Sequence, residues 1–193
     1  MHPAQVGKWN QPPKGNAVIS DIDITEGATE AARAAHRIYG ATFRQVKQEN
    51  LIRDWAQTKY ADTIFAVGKL MPKGSKFDTK TDRILTNDSV IGGTAYATNM
   101  GILHNKQVFV FNQEKNDKFD IGWYKYDYMY NEYESVGTPV LTKNFAGIGT
   151  REINDVGKQA IRDVFEKTFN TSQVADEQKR QEGKNIKDQC KGE

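Results

Sequence analysis

Two short, continuous apolar runs that enclose a helix-like segment constrain the fold of this chain more than any other feature. The first run lies in "DTIFAVGKL" at 62–70, and the second is "QVFVF" at 107–111. Apolar residues that follow one another without alternation are typical of strands buried on both faces, as in parallel sheets. The segment between them is predicted to be helical over 94–105. Strand, loop, helix and strand in this order form a parallel crossover unit, so the sequence predicts an α/β protein.

Further periodic segments extend this prediction to a three-layer sandwich with a mainly parallel central sheet. Apolar residues at helical spacing predict helices, and a third apolar run that ends in glycines predicts another strand. The predicted parallel strands are 62–68, 107–111 and 144–148. The predicted helices are 24–39, 49–60, 94–105 and a last one that follows a cap at Asn154 or Asp155 and ends at 169.

A tyrosine-rich segment, "FDIGWYKYDYMYNEY" at 119–133, predicts an antiparallel insertion at the edge of this sheet. Four tyrosines at alternate positions are expected on one face of a strand: Tyr124, Tyr126, Tyr128 and Tyr130. Packing at the sheet edge or a contact with another subunit is the favoured role, and base stacking is the alternative.

Composition places these elements in one domain and argues against several classes of protein. The domain is expected to span 1–170, and 171–193 form a charged tail that is expected to be a frayed helix or disordered. Cys190 is the only cysteine, which excludes an intramolecular disulfide. Together with the lack of a signal-peptide pattern, this predicts a cytoplasmic location. The 27 basic and 25 acidic residues nearly balance, so nucleic-acid binding gains no support. No apolar run approaches the roughly 20 residues of a membrane span.

Two predicted strands end in glycine and lead into a helix, which indicates a phosphate-binding crevice. Helix N-termini attract anions because their N–H groups are unpaired, and glycine lets a phosphate approach the backbone. In an open parallel sheet, the loops at the carboxyl ends of the strands share one crevice. The alternatives are a tight turn for the first group and close helix–strand packing for the second. The candidate ligand-binding residues are Gly92, Gly93, Thr94, Gly147, Gly149, Thr150 and Arg151.

Three polar residues elsewhere are further candidates for contacting an anion: Arg53 in "LIRDWAQTKYAD", and Lys14 and Asn16 in "PKGN". The histidines are scattered, and His36, in an alanine-rich helix, is expected at the surface or in packing. No metal site and no cofactor are therefore predicted. A serine–histidine–acid site lacks its nucleophile elbow, so no catalytic residue is assigned.

Three blocks of the sequence resemble the SLOG superfamily, whose members include cytokinin-activating phosphoribohydrolases, DNA-processing proteins and nucleotide-sensing domains of antiviral systems. The blocks are "ADTIFAVG", "GGTAYATNMGILHNKQVFVFNQ" and "PVLTKNFAGIGTREINDVGKQAIRDVFEKTF". The resemblance covers 12–169 and is closest to a bacterial and phage branch of uncharacterised proteins. It implies a Rossmann-like fold and a nucleotide-derived ligand. The family's glycine–threonine loop corresponds to Gly92, Gly93 and Thr94. The family's motif of a strand-end glycine and a basic residue corresponds to the second group of candidates, in "GIGTR".

Two departures from the family pattern shape the functional prediction. "IGGTAYATNM" lacks the proline, the third glycine and the catalytic glutamate of the phosphoribohydrolases, which argues against that hydrolysis. The family's serine–glycine–glycine loop has no counterpart here, so a partner subunit is expected to complete the crevice in a homo-oligomer. We therefore expect a non-catalytic binder of a nucleotide-derived small molecule. An ADP-ribose-type immune signal held by a phage-encoded sponge fits this reading. A hydrolase of N-glycosidic or phosphate bonds and a ligand-free interaction subunit remain the alternatives.

Overall fold

A computed structural model describes residues 21–41, 49–77 and 82–171 of the chain. Within these ranges, two helices precede three strands, and a third helix, four strands and a last helix follow. The helices are α1 (Asp21–Tyr39), α2 (Glu49–Thr58), α3 (Thr94–Leu103) and α4 (155–171). The strands are β1 (Thr63–Gly68), β2 (Leu70–Met71), β3 (Ser89–Val90), β4 (Gln107–Asn112), β5 (Gly122–Asp127), β6 (Glu132–Val136) and β7 (Phe145–Gly149). The predicted tail at 171–193 lies outside the described residues except for its first residue.

Five of the strands form one mixed sheet in the order β6-β5-β4-β1-β7, and β2 pairs with β3 in a separate antiparallel sheet. β1 is parallel to both of its neighbours, β4 and β7. Phe65 at its centre pairs with Phe109 on one side and with Gly147 on the other. The three predicted strands therefore lie in one sheet with the predicted parallel direction, and the α/β class is confirmed.

Helices cover both faces of this sheet. On one face, Ile64 and Ala66 of β1 join a core that includes Ile102 of α3, and α1 and α2 pack against α3. On the other face, Phe65 and Val67 pack with apolar residues of α4. The chain after β1 thus leads to a helix on one face, while the chain after the neighbouring β7 leads to a helix on the opposite face. In open α/β sheets, loops that diverge in this way leave a crevice at the carboxyl ends of the strands.

Two glycines let the flanking helices lie close to the sheet. A Cβ atom at Gly101 of α3 would be 2.8 Å from Cγ1 of Ile64, and one at Gly157 of α4 would be 2.9 Å from Cγ1 of Val67. Real Cβ atoms do not approach neighbours this closely in packed interiors, so any larger residue would push the helix outward. The positions of α3 and α4, and of the turns that precede them, are therefore fixed by close packing on β1.

The tyrosine-rich segment forms the predicted antiparallel edge, but the prediction that four tyrosines share one strand face is wrong. Tyr124 and Tyr126 are buried in β5, whereas Tyr128 and Tyr130 lie in the turn before β6. The turn forms because the Asp127 carboxylate accepts hydrogen bonds from the N–H groups of residues 129 and 130. This local turn chemistry ends the alternation that the sequence pattern implied.

Candidate functional site

The carboxyl end of β1 holds the two glycine-containing turns that the sequence predicts to share a crevice. The N–H group of Ile91, one residue before the first turn, donates to the carbonyl of Lys69 at 3.2 Å. The N–H group of Thr150, in the second turn, donates to the carbonyl of Val67 at 3.0 Å. Since Val67 and Lys69 are two residues apart, both turns are anchored to the same few peptide groups. Both turns therefore lie at one edge of the sheet, as the sequence predicts.

The first glycine turn (Gly92, Gly93 and Thr94) presents open backbone at the N-terminus of α3. Gly92 has a positive φ of 76°, which favours glycine, whereas Gly93 has helical angles of −59° and −37°. A Cβ atom at either glycine would meet no atom within 4 Å. Thr94 is buried, so the glycines form the surface of the turn.

The N–H groups at this helix end provide donors for an anion. Ala95 and Tyr96 already donate to the carbonyls of Gly92 and Gly93, at 3.2 and 3.1 Å. The N–H groups of Gly93 and Thr94 have no backbone acceptor among the described residues. No acidic residue lies in the first turn of α3, and no side chain caps it. Such an end attracts negative charge through its unpaired donors and the helix dipole.

The second glycine turn (Gly149, Thr150 and Arg151) is equally open. A Cβ atom at Gly149, or at Gly147 earlier in β7, would meet no atom within 4 Å. The alternative of close helix–strand packing at these two glycines is therefore wrong, since α4 approaches the sheet at Gly157. The Arg151 side chain is exposed and forms no ion pair within the described part of the chain. Its guanidinium is available to pair with an anion.

Asn112, a buried amide that the sequence analysis did not single out, ties the surrounding loops to the end of β4. Its Oδ1 accepts from the N–H group of Leu70 at 2.9 Å. Its Nδ2 donates to the carbonyls of Glu114 at 2.6 Å and Asp120 at 2.9 Å. The side chain is fully buried, so these bonds are shielded from water. Asn112 therefore positions β2 and the 114–120 loop on the same side of the sheet.

Gln113, the next residue, holds the segment that follows the second glycine turn. Its Nε2 donates to the carbonyl of Glu152 at 2.9 Å, and its Oε1 accepts from the N–H group of Asn154 at 3.1 Å. Asn154 in turn accepts from the N–H group of Gly157 at 2.9 Å and caps α4. The only sequence signal for these two amides was a polar pair directly after the apolar run "VFVF".

Comparison with protein-family models, curated proteins and solved structures gave no match. Over the described ranges, no helix is long and apolar enough to cross a membrane. In the same part of the chain, no group of three histidine, cysteine, aspartate or glutamate side chains could hold a metal ion. The function is therefore argued from the geometry of the two turns.

Three further predicted site residues are Arg53, Lys14 and Asn16. Arg53 is exposed on α2, opposite the buried Leu51 and Trp55. Lys14 and Asn16 lie outside the described residues. Asp54, beside Arg53, is distinctive because burial raises the pKa of its carboxyl to about 7, against a smaller lowering by the Arg53 charge.

Proposed function

We propose that the protein binds a nucleotide-derived, phosphate-bearing small molecule without cleaving it, in the crevice between the two glycine turns. One observation carries this proposal: Thr150 in the second turn is hydrogen-bonded to Val67 in β1, Ile91 just before the first turn is hydrogen-bonded to Lys69 just after β1, and both turns leave open space over their glycines. A phosphate in that space would meet the N-terminal donors of α3 on one side and the Arg151 guanidinium on the other.

The resemblance to the SLOG superfamily supports the nucleotide character of the ligand. A five-strand mixed sheet with helices on both faces is compatible with the Rossmann-like fold that the resemblance implies. The finer proposal, that the ligand is an ADP-ribose-type immune signal sequestered by a phage-encoded protein, rests on that resemblance. A single cysteine is compatible with the reducing cytoplasm as the place of binding.

Asp54 is the observation that favours the second candidate, hydrolysis of the nucleotide. A carboxyl with a pKa of about 7 carries a proton at neutral pH in a sizeable fraction of molecules, as a general acid requires. However, "IGGTAYATNM" lacks the catalytic glutamate of the phosphoribohydrolases. Binding without cleavage is therefore the first proposal.

Ligand recovery distinguishes these candidates. We expect that the full chain, incubated with ADP-ribose, AMP or ATP and separated by filtration, retains at least one of them. After denaturation, chromatography should return that nucleotide intact, and Gly93→Val should retain much less ADP-ribose. A cleaved product would instead establish the hydrolase. Retention of none of the three would contradict both the binding and the hydrolysis candidates. The ligand-free interaction subunit would then be the remaining candidate.

We further propose that the protein forms a homodimer through β7 and α4. Among the described strands, β7 is the last in the sheet, and none of them pairs with the other side of its backbone. Large apolar side chains beside it are exposed, notably Phe145 of β7 and Phe165 and Phe169 of α4. The tyrosine-rich segment contributes less to this argument than its sequence suggested, because Tyr124 and Tyr126 are buried within the protomer.

Light scattering should accordingly give about twice the chain mass of 21.8 kDa at micromolar concentrations. The double substitution Phe165→Glu and Phe169→Glu should return the monomer, because it places like charges where two copies of α4 would meet. Tyr130→Glu, at the exposed hairpin turn, is the matched control and should leave the dimer intact. A wild-type mass of 21.8 kDa would exclude this assembly.

A further inference from the structure

A cavity of about 560 Å³ lies beside the C-terminal half of α1 and includes no residue of either glycine turn. Leu103, at the far end of α3 from Gly93, forms one wall. At a rise of about 1.5 Å per residue, these two residues are separated by about 15 Å along the helix. The residues that line the cavity are Arg33, His36, Arg37, Gly40, Thr86, Asn87 and Leu103.

Basic side chains dominate the polar part of this lining. Arg33, His36 and Arg37 are spaced at i, i+3 and i+4, so they share one face of α1. No acidic residue is among the described residues that line the cavity. Glu30, a carboxylate on the same helix, accepts from Arg33 at 2.9 Å and also lies 2.9 Å from Nε2 of His104. One carboxylate thus serves two basic partners, and the cavity keeps an excess of positive charge.

Arg37 supplies the observation that points to a ligand. One of its amino groups donates to the Tyr126 hydroxyl, and its guanidinium carbon lies 5.4 Å from the centre of that ring. Its Nε is buried and has no hydrogen-bond partner among the described residues. A buried, charged N–H group without an acceptor is costly, so an anion close to the Arg37 guanidinium would stabilise the folded protein.

Compensation of the helix dipole does not account for this arrangement. Basic residues in the last turn of a helix do offset its negative end. Here, however, the terminal carbonyls of α1 already have donors: Thr86 donates its N–H group to Ile38 at 2.9 Å, and Asn87 donates Nδ2 to Arg37 at 2.9 Å. A dipole effect would also leave the buried Nε of Arg37 unpaired.

We propose that this cavity binds a small organic phosphate of about nucleoside monophosphate size, with Arg33 and Arg37 pairing with the phosphate. Guanidinium groups pair with phosphate through two parallel hydrogen bonds, and the amino group of Arg37 that does not contact Tyr126 can provide one of them. The volume falls within the range of about 300–1,000 Å³ that is usual for small-molecule sites. The site is independent of the crevice between the glycine turns, so it stands or falls separately from the function proposed there.

The ring protons of His36 give a local signal for testing this site, with AMP as the probe. The full chain has three histidines, and His36→Gln identifies the resonance of His36. We expect AMP to shift that resonance to saturation at constant pH and ionic strength. Gly93→Val should leave the response of His36 unchanged, because the first glycine turn is not part of this cavity.

Two substitutions and one control distinguish a specific binding site from non-specific electrostatic attraction. Arg33→Gln and Arg37→Lys should each weaken the AMP-dependent shift of His36 by about tenfold, because each removes a charge-assisted hydrogen bond. Arg162→Gln removes the same charge from α4, on the opposite face of the sheet, and should have no effect.

The proposal is overturned if millimolar AMP leaves the His36 resonance in place. It is also overturned if Arg162→Gln weakens the response as much as Arg33→Gln does. Should Arg37→Lys lower stability because its contact with Tyr126 changes, Arg33→Gln still decides, since 43% of the Arg33 side chain is exposed and its loss spares the core.

Discussion

Gly93→Val and Arg151→Ala are each expected to weaken nucleotide binding about ten- to a hundredfold while nearly preserving the stability of the fold. Arg151→Ala removes a charged hydrogen bond to phosphate, worth roughly 1.5–3 kcal/mol. Gly93→Val places methyl groups in the space that the phosphate would occupy. Gly93 has helical angles, and its Cβ would meet no atom within 4 Å, so the protein itself accommodates the larger residue. Valine at a helix N-cap should cost about 1 kcal/mol of unfolding free energy.

Calorimetric titration with ADP-ribose, beside thermal melts of each variant, measures both quantities. Gly101→Val is the matched control, since the same substitution in α3 would bring Cβ within 2.8 Å of Ile64 and should lower the melting temperature strongly. If Gly93→Val and Arg151→Ala both bind as wild type does, the two glycines only form a turn.

Asn112→Leu should lower the free energy of unfolding by at least about 3 kcal/mol, which is large for a substitution of similar volume. It leaves the buried N–H group of Leu70 without an acceptor and removes the donor from two partly buried carbonyls, those of Glu114 and Asp120. Each buried unpaired group costs roughly 1–3 kcal/mol.

Urea denaturation of both proteins measures this loss. Asn144→Leu, where the asparagine is exposed and its amide donates to Asp62 at 3.2 Å, is the control and should change stability by less than about 1 kcal/mol. Equal changes at the two positions would show that water replaces the Asn112 hydrogen bonds and that the loops do not depend on them.

The parallel sheet could be predicted from the sequence because its evidence is local. β1 is buried at every position, and such burial is reflected in a continuous apolar run. β4 and β7 contain similar runs, although Phe145, Gly147 and Gly149 of β7 are exposed. The placement of the two glycine turns at one end of the sheet then followed from the common direction of the strands. The helix bounds differed by a few residues because the ends depend on local turns, such as the positive φ of 53° at Asn105 after α3.

The buried amides and the basic cavity could not be predicted in the same way, because their partners are distant in sequence. Gln113 contacts residues 39 and 41 positions further along the chain, and Asn87 reaches Arg37 across 50 positions. A single sequence contains no periodic signal for such pairs. The sequence therefore predicted only a surface or packing role for His36, because the cavity beside it also depends on residues 86 and 87, which are distant in sequence.

The attachment of both glycine turns to β1 also determines what kind of selectivity the crevice can have. β1 is buried along its whole length and hydrogen-bonded to a strand on each side, which restrains its backbone. If the two turns bind anions as proposed, the distance between them is set by this backbone rather than by flexible side chains. Ligands that differ in the distance between their charged groups would then differ in affinity. Ligands that differ only in the base would bind with similar affinity.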